Sequence, residues 1–181
     1  MLPDDVIQTV VEDDETYILG LTGSSTAYLF TYTNPKYETY QTLSNPEGNS
    51  FIEGYFVNNT FVIFKDNASE LTSYDYNTSR WQKSTAGQII DYCTTDGSVV
   101  FTITQESEAS DFFLNAYRVN NNTYDLDLVG SRVVSFAASD LLCLSKNRVL
   151  VNPLDTSNPI RVWQFTSTFT ITASQYLNTN F

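Results

Sequence analysis

The chain contains no histidine. It cannot assemble a Ser-His-Asp or Cys-His nucleophile from its own residues. His-ligated metal sites, including the HExxH zinc motif, go with it. Glycine is scarce, at 7 residues in 181, and neither GxGxxG nor GxxxxGK occurs. Phosphate-cradling loops of those two kinds are therefore excluded, and no cofactor is expected. Basic residues are few, 9 against 21 acidic ones, for a net charge of −12. Binding a nucleic-acid backbone requires Lys and Arg to displace counterions, so nucleic acid is not an expected partner. Anionic membrane surfaces are disfavoured for the same reason. No apolar run approaches the roughly 18 residues of a membrane helix, so no membrane insertion is expected. The N-terminus, MLPDDVIQ, lacks the basic region and apolar core of a signal peptide. It fits a chain that is not secreted, or one that is processed or partial.

Cysteine is almost absent. Cys93 lies in DYCTT and Cys143 in LLCLS, both apolar settings, and small buried side chains are the expectation. Two cysteines make no disulfide framework, and their spacing matches no metal site. They fall at different positions of the repeat described below, so a bridge between them is open but not predicted.

Hydrophobic residues make up 41% of the chain, with 12 Tyr and 12 Phe, and charged residues only 17%. Disorder is excluded by the first figure. The last is low against the about 25% of an average soluble domain, so the surface must be largely Ser, Thr, Asn and Gln. Aromatic and β-branched residues favour strands. Segments such as VVFTITQ and FVIFKD alternate with period two, and turn residues separate such runs every eight to twelve positions. Helical patterns with caps are missing.

One stretch shows the unit plainly. Strands are expected at Phe51 to Val57, Thr60 to Lys65, Glu70 to Tyr76 and Arg80 to Lys83, with turns at Asn58-Asn59, Asp66 to Ser69 and Asn77-Thr78-Ser79. Four antiparallel strands in about 40 residues is the size of one propeller blade. The layout extends along the chain. A first turn recurs at Asp13-Asp14, Asn58-Asn59, Asp96-Gly97 and Ser139-Asp140. A large apolar residue closes the third strand at Tyr32, Tyr74, Tyr117 and Leu154, and an aromatic marks the fourth at Tyr40, Trp81, Tyr124 and Trp163. All three series advance by roughly 37 to 45 residues. Blades are accordingly expected at about 4–43, 50–84, 88–129 and 131–165 of a single domain. The tail, 166–181, is either the start of another blade or a strand pairing with an outer edge. A β-sandwich is the competing fold.

Tyr74-Asp75 followed by YNTSRWQ resembles the β-propeller repeat families, the WD-repeat type above all, in which an aromatic-Asp pair closes the third strand before a polar turn. Leu154-Asp155 is a weaker match. Tyr32-Thr33 and Tyr117-Arg118 lack the Asp, and the family's Gly-His pair is absent. The resemblance implies an all-β, β-propeller-like fold of about four four-stranded antiparallel blades, complete or part of a larger propeller. One blade cannot bury both faces of its sheet, so the Trp and Tyr series is expected to pack between neighbours.

Acidic clusters stand at Glu12-Asp13-Asp14-Glu15 and at Glu106, Glu108 and Asp111. Their spacing fits no standard calcium loop, and solvated charge is the simpler reading. Sequons occur at Asn58, Asn67, Asn77 and Asn121, all in expected turns, where Asn also belongs for conformational reasons. With the low charge they favour an extracellular setting, whereas the N-terminus and unpaired cysteines count against it.

The function expected from this layout is a non-catalytic protein–protein interaction or scaffold module, because a propeller is a rigid body whose connecting loops vary freely. Asp66, Ser69, Gln105, Glu106, Glu108 and Asp111 are the expected partner-binding residues. They sit in second-to-third-strand connections of adjacent blades, on one face. A basic protein is the expected partner, and the chain is expected to complete a larger ring or assembly. Two other readings stay open. One is a carbohydrate-active propeller using paired carboxylates. The other is a structural component of a surface layer or filament.

Overall fold

A computed structural model of the chain describes residues 6, 8–11, 17–33, 36–57, 61–84, 88–95, 99–105, 107, 111–120, 125–145, 147–166 and 171–176. The described residues form no helix and 16 strands in four antiparallel sheets, each a simple meander. The first sheet orders β1 (Gln8–Val11), β2 (Tyr17–Leu21), β3 (Thr26–Thr33) and β4 (Lys36–Ser44). In the second are β5 (Phe51–Val57), β6 (Phe61–Asp66), β7 (Leu71–Asp75) and β8 (Arg80–Ser84). The third comprises β9 (Gln88–Thr95), β10 (Val99–Gln105), β11 (Phe112–Val119) and β12 (Leu126–Val134). Last come β13 (Ala138–Ser145), β14 (Arg148–Pro153), β15 (Arg161–Phe165) and β16 (Ile171–Tyr176). The chain divides into two compact units, Met1–Lys83 and Ser84–Phe181.

Burial follows strand position. β7 buries all five residues and β10 all but its last, so these inner strands are covered on both faces. Both read as continuous Leu-Thr-Ser-Tyr and Val-Phe-Ile-Thr runs because neither face is left to solvent. Two of the fourth strands behave oppositely. β4 and β12 are mostly exposed, and they carry Lys36, Glu38, Asp127 and Arg132. Charge on an outer edge discourages pairing with a foreign strand. Lys36 and Glu38 form an ion pair at 2.8 Å. Their hydrogen bond, then their charge attraction, lowers the Glu38 pKa and raises that of Lys36.

In the first unit, Leu19, Leu21, Ala27, Leu29 and Leu43 of one sheet pack with Phe51, Val62, Phe64, Tyr74 and Tyr76 of the other. Trp81 completes this cluster, with its ring centroid 4.6 Å from that of Tyr74 and 6.0 Å from that of Phe51. Gly54 lets the two sheets close: a Cβ there would stand 2.6 Å from Leu19 Cδ2. In the second unit, Phe101, Ile103, Leu114 and Ala116 pack with Val149, Val151, Trp163 and Phe165. Trp81, Trp163 and Tyr74 thus serve the packing expected of them and Tyr117 is buried, whereas Tyr32 and Tyr40 are 48% and 46% exposed.

The expected repeat departs from the structure in its fourth copy, by one strand. Ser139-Asp140 is not a turn but lies inside β13. Leu154 follows the second strand of its sheet rather than closing the third, and Trp163 lies on the third strand rather than the fourth. The fourth sheet therefore spans 138–176 instead of 131–165. The tail supplies its outer strand, β16, paired with β15 from Arg161↔Tyr176 to Phe165↔Ile171. β13 explains the slip. Its pairing with β14 shifts register between Ala138 and Asp140 and again between Cys143 and Ser145. Each such irregularity interrupts the period-two pattern, and a Ser-Asp pair at the first of them imitates a turn. The first-turn residues Asp13-Asp14, Asn58-Asn59 and Asp96-Gly97, and Tyr124, lie outside the described residues.

Cys93 and Cys143 are joined in a disulfide, with Cα atoms 5.7 Å apart. This corrects the expectation of two unpaired thiols, and the cause is the same slip. β9 starts at Gln88 and β13 at Ala138, so each cysteine is the sixth residue of the first strand in its sheet. Those strands also meet where the Leu141 amide N–H donates to Asp91 Oδ2 at 2.6 Å.

Candidate interaction surface

The connections between second and third strands carry the expected partner-binding residues. In the second sheet this is the β6–β7 turn. Asp66 ends β6 and is only 1% exposed. Its Oδ1 accepts the amide N–H groups of Ala68 at 3.0 Å and Glu70 at 3.1 Å, and its Oδ2 accepts Asn49 Nδ2 at 3.0 Å. The main chain closes the same turn: Ser69 N–H donates to Asp66 O at 3.0 Å, and Asp66 N–H to Glu70 O at 3.1 Å. A second clasp ties the turn to the strand before it, since Asn67 N–H donates to Ser50 O at 2.9 Å and Ser50 N–H to Asn67 Oδ1 at 3.2 Å.

Asp66 therefore builds the turn from inside. Its carboxylate is consumed by two amides of the turn and by Asn49, and the outward groups are Asn67 and Ala68, both exposed. Ser69 is half-buried and sits in the left-handed region at φ 60°, a conformation a Ser holds only where its surroundings fix it. In the third sheet the corresponding connection runs from β10 to β11. Gln105 ends β10 half-buried, and Ser107 and Asp111 are exposed. Glu106 and Glu108 lie outside the described residues.

The device at Asp66 recurs. Asp75 Oδ1 accepts Asn77 N–H at 2.9 Å and Thr78 N–H at 3.2 Å, while its Oδ2 accepts the Thr78 hydroxyl. Asp155 Oδ1 accepts Ser157 N–H at 2.8 Å, and Asn45 Oδ1 accepts Glu47 N–H at 2.9 Å. These are Asx turns, in which a side-chain oxygen replaces a backbone carbonyl two residues before the donor. The Ser157 amide, and then its side chain, hold the Asp155 carboxyl below its ordinary pKa. Part of the chain's acidity is thus spent shaping turns. Among the described residues no group of three or more His, Cys, Asp or Glu could hold a metal ion.

No family model matches the chain, and no curated protein matches it. Solved structures do. The chain is similar to the β-propeller domain of Cps50 (Swd1) from Myceliophthora thermophila, at 12% identity and TM-score 0.68, covering 97% of this chain and 60% of that one. It is similar to a structure of S. cerevisiae Dbp5 bound to Nup159 and Gle1, at 13% identity and TM-score 0.61, covering 93% and 47%. It is also similar to a putative 6-phosphogluconolactonase from Bacteroides fragilis, at 14% identity and TM-score 0.63, covering 94% and 55%. The sheets are therefore β-propeller blades, and WD40 propellers are among the structures they match. The chain spans about half the length of these solved structures.

Proposed function

We propose that the chain is a protein-interaction scaffold module whose second-to-third-strand connections, 66–70 and 105–111, contact the partner. The observation that carries this reading is the β6–β7 turn. A buried carboxylate with three hydrogen bonds holds Asn67 and Ala68 outward in one conformation. A surface ordered before binding loses little entropy when the partner arrives. The likeness to WD40 propellers supports the same use, as does the structure in which Dbp5 is bound to Nup159 and Gle1.

The partner's chemistry follows from charge. With a net charge of −12 and Glu106, Glu108 and Asp111 in the β10–β11 connection, a basic protein surface is favoured on encounter. A place within a larger ring or assembly is part of the proposal, supported by the chain's span of about half its solved neighbours. The test is the affinity of the full chain for a partner isolated with it and identified. Ala68→Arg, and separately Glu106→Lys with Glu108→Lys, should each weaken binding about tenfold, roughly the 1.4 kcal/mol of one contact region. The second variant should also reduce the salt dependence. Affinity unchanged in both variants would remove the proposal.

A further inference from the structure

Two independent features indicate how the chain matures. One is the disulfide between Cys93 and Cys143, a bond that persists in oxidising compartments and is rare where thiols are kept reduced. The other is the β7–β8 turn. Asn77, Thr78 and Ser79 form a sequon, and all three residues are exposed. The turn is fixed from beneath. Tyr76 is buried, its carbonyl accepts Gln41 Nε2 at 3.0 Å, and Asp75 takes the amides of Asn77 and Thr78. Ser79 lies in the left-handed region at φ 57°. Asn77 is exposed, and the Ser79 hydroxyl of the sequon lies two residues on.

We propose that Asn77 is a site of N-linked glycosylation, and that the chain passes through an oxidising, glycosylating compartment. The donor class is an oligosaccharide carried on a lipid diphosphate. Asn77 Nδ2 attacks the anomeric carbon, and the new N–C bond replaces the C–O bond to diphosphate. Lipid diphosphate departs with the bonding electron pair, and the amide proton is released to a base. No electron transfer is involved.

The other described sequon, Asn67-Ala68-Ser69, is the less suited of the two. Its Asn67 Oδ1 already accepts the Ser50 N–H, so the side chain is tied against the entry to β5. Position along the sheet separates the two as well. In an antiparallel meander, successive connections alternate between ends, so the β7–β8 turn lies at the opposite end of the second sheet from the β6–β7 turn. A glycan on Asn77 leaves the proposed contact turn open, whereas one on Asn67 would cover it. The inference does not depend on the proposed binding role.

The test is to secrete the full chain from eukaryotic cells and map its peptides before and after treatment with a glycan-releasing amidase. The expected result is a glycan at Asn77, an aspartate mass at that position after release, and an intact Cys93–Cys143 peptide. The Asn77→Gln and Ser79→Ala variants should each lose that glycan while Asn67→Gln keeps it. Two variants that disable the sequon at different atoms guard against one failing to fold. Recovery of the Asn77 peptide wholly unmodified from the secreted wild type would overturn the inference. So would occupancy of Asn67 in place of Asn77.

Discussion

At the scale of single residues, the structure gives several acidic side chains a job that position alone does not reveal. Asp66 is the sharpest case. Its place in a turn between strands was legible in the sequence, as was the neighbourhood of Ser69. The direction of its carboxylate was not, because a turn position fixes the backbone and leaves the side chain to its donors. Replacing Asp66 with Ala would strand the amides of Ala68 and Glu70 and the Asn49 amide. Unpartnered donors at a buried site cost about 1–3 kcal/mol, and chemical denaturation of Asp66→Ala should show a loss of that order. Asp155 gives a prediction about pH. Its carboxyl is held below the ordinary value by the Ser157 amide and then by the Ser157 side chain. A depressed folded-state pKa contributes stability that is present above the unfolded value of about 3.9 and is lost as pH falls through the folded one. An NMR titration should find Asp155 protonating below that value, and Ser157→Pro, which removes the N–H, should raise it.

At the scale of strands and sheets, legibility depended on how regular each element is. The second sheet was readable to within a residue or so, since Asp66 to Ser69 and Asn77-Thr78-Ser79 are strong turn signals that bound its third strand on both sides. The fourth sheet was not. β13 holds two register irregularities, and a strand that shifts register shows no steady alternation. That one error hid the disulfide, because Cys93 and Cys143 match only when both are counted from the start of their strands. A covalent link between first strands of successive sheets should stabilise the second unit. Closing a loop of about 50 residues is worth about 2–4 kcal/mol. In urea titrations, Cys143→Ser should unfold earlier by that amount, and reductant should lower the wild type to the same midpoint while leaving the variant unmoved.

At the scale of the whole chain, the repeat is the message that survives every local error. Four copies of one four-stranded meander were apparent from turn spacing and aromatic marks, even with the last copy one strand out of register. The physical reason is that propeller sheets bury both faces of their inner strands, as β7 and β10 do. This demands apolar runs at a fixed period. The identity of a partner is different in kind. It is written in exposed turns whose sequences the fold does not constrain. Hydrogen–deuterium exchange of the full chain, with and without its identified protein partner, reads those exposed turns directly. Binding is expected to slow exchange in 66–70 and 105–111 and to leave exchange in 76–79 unchanged. Protection confined to 76–79 or to the outer strands β4 and β12, with 66–70 and 105–111 unaffected, would contradict the proposed contact.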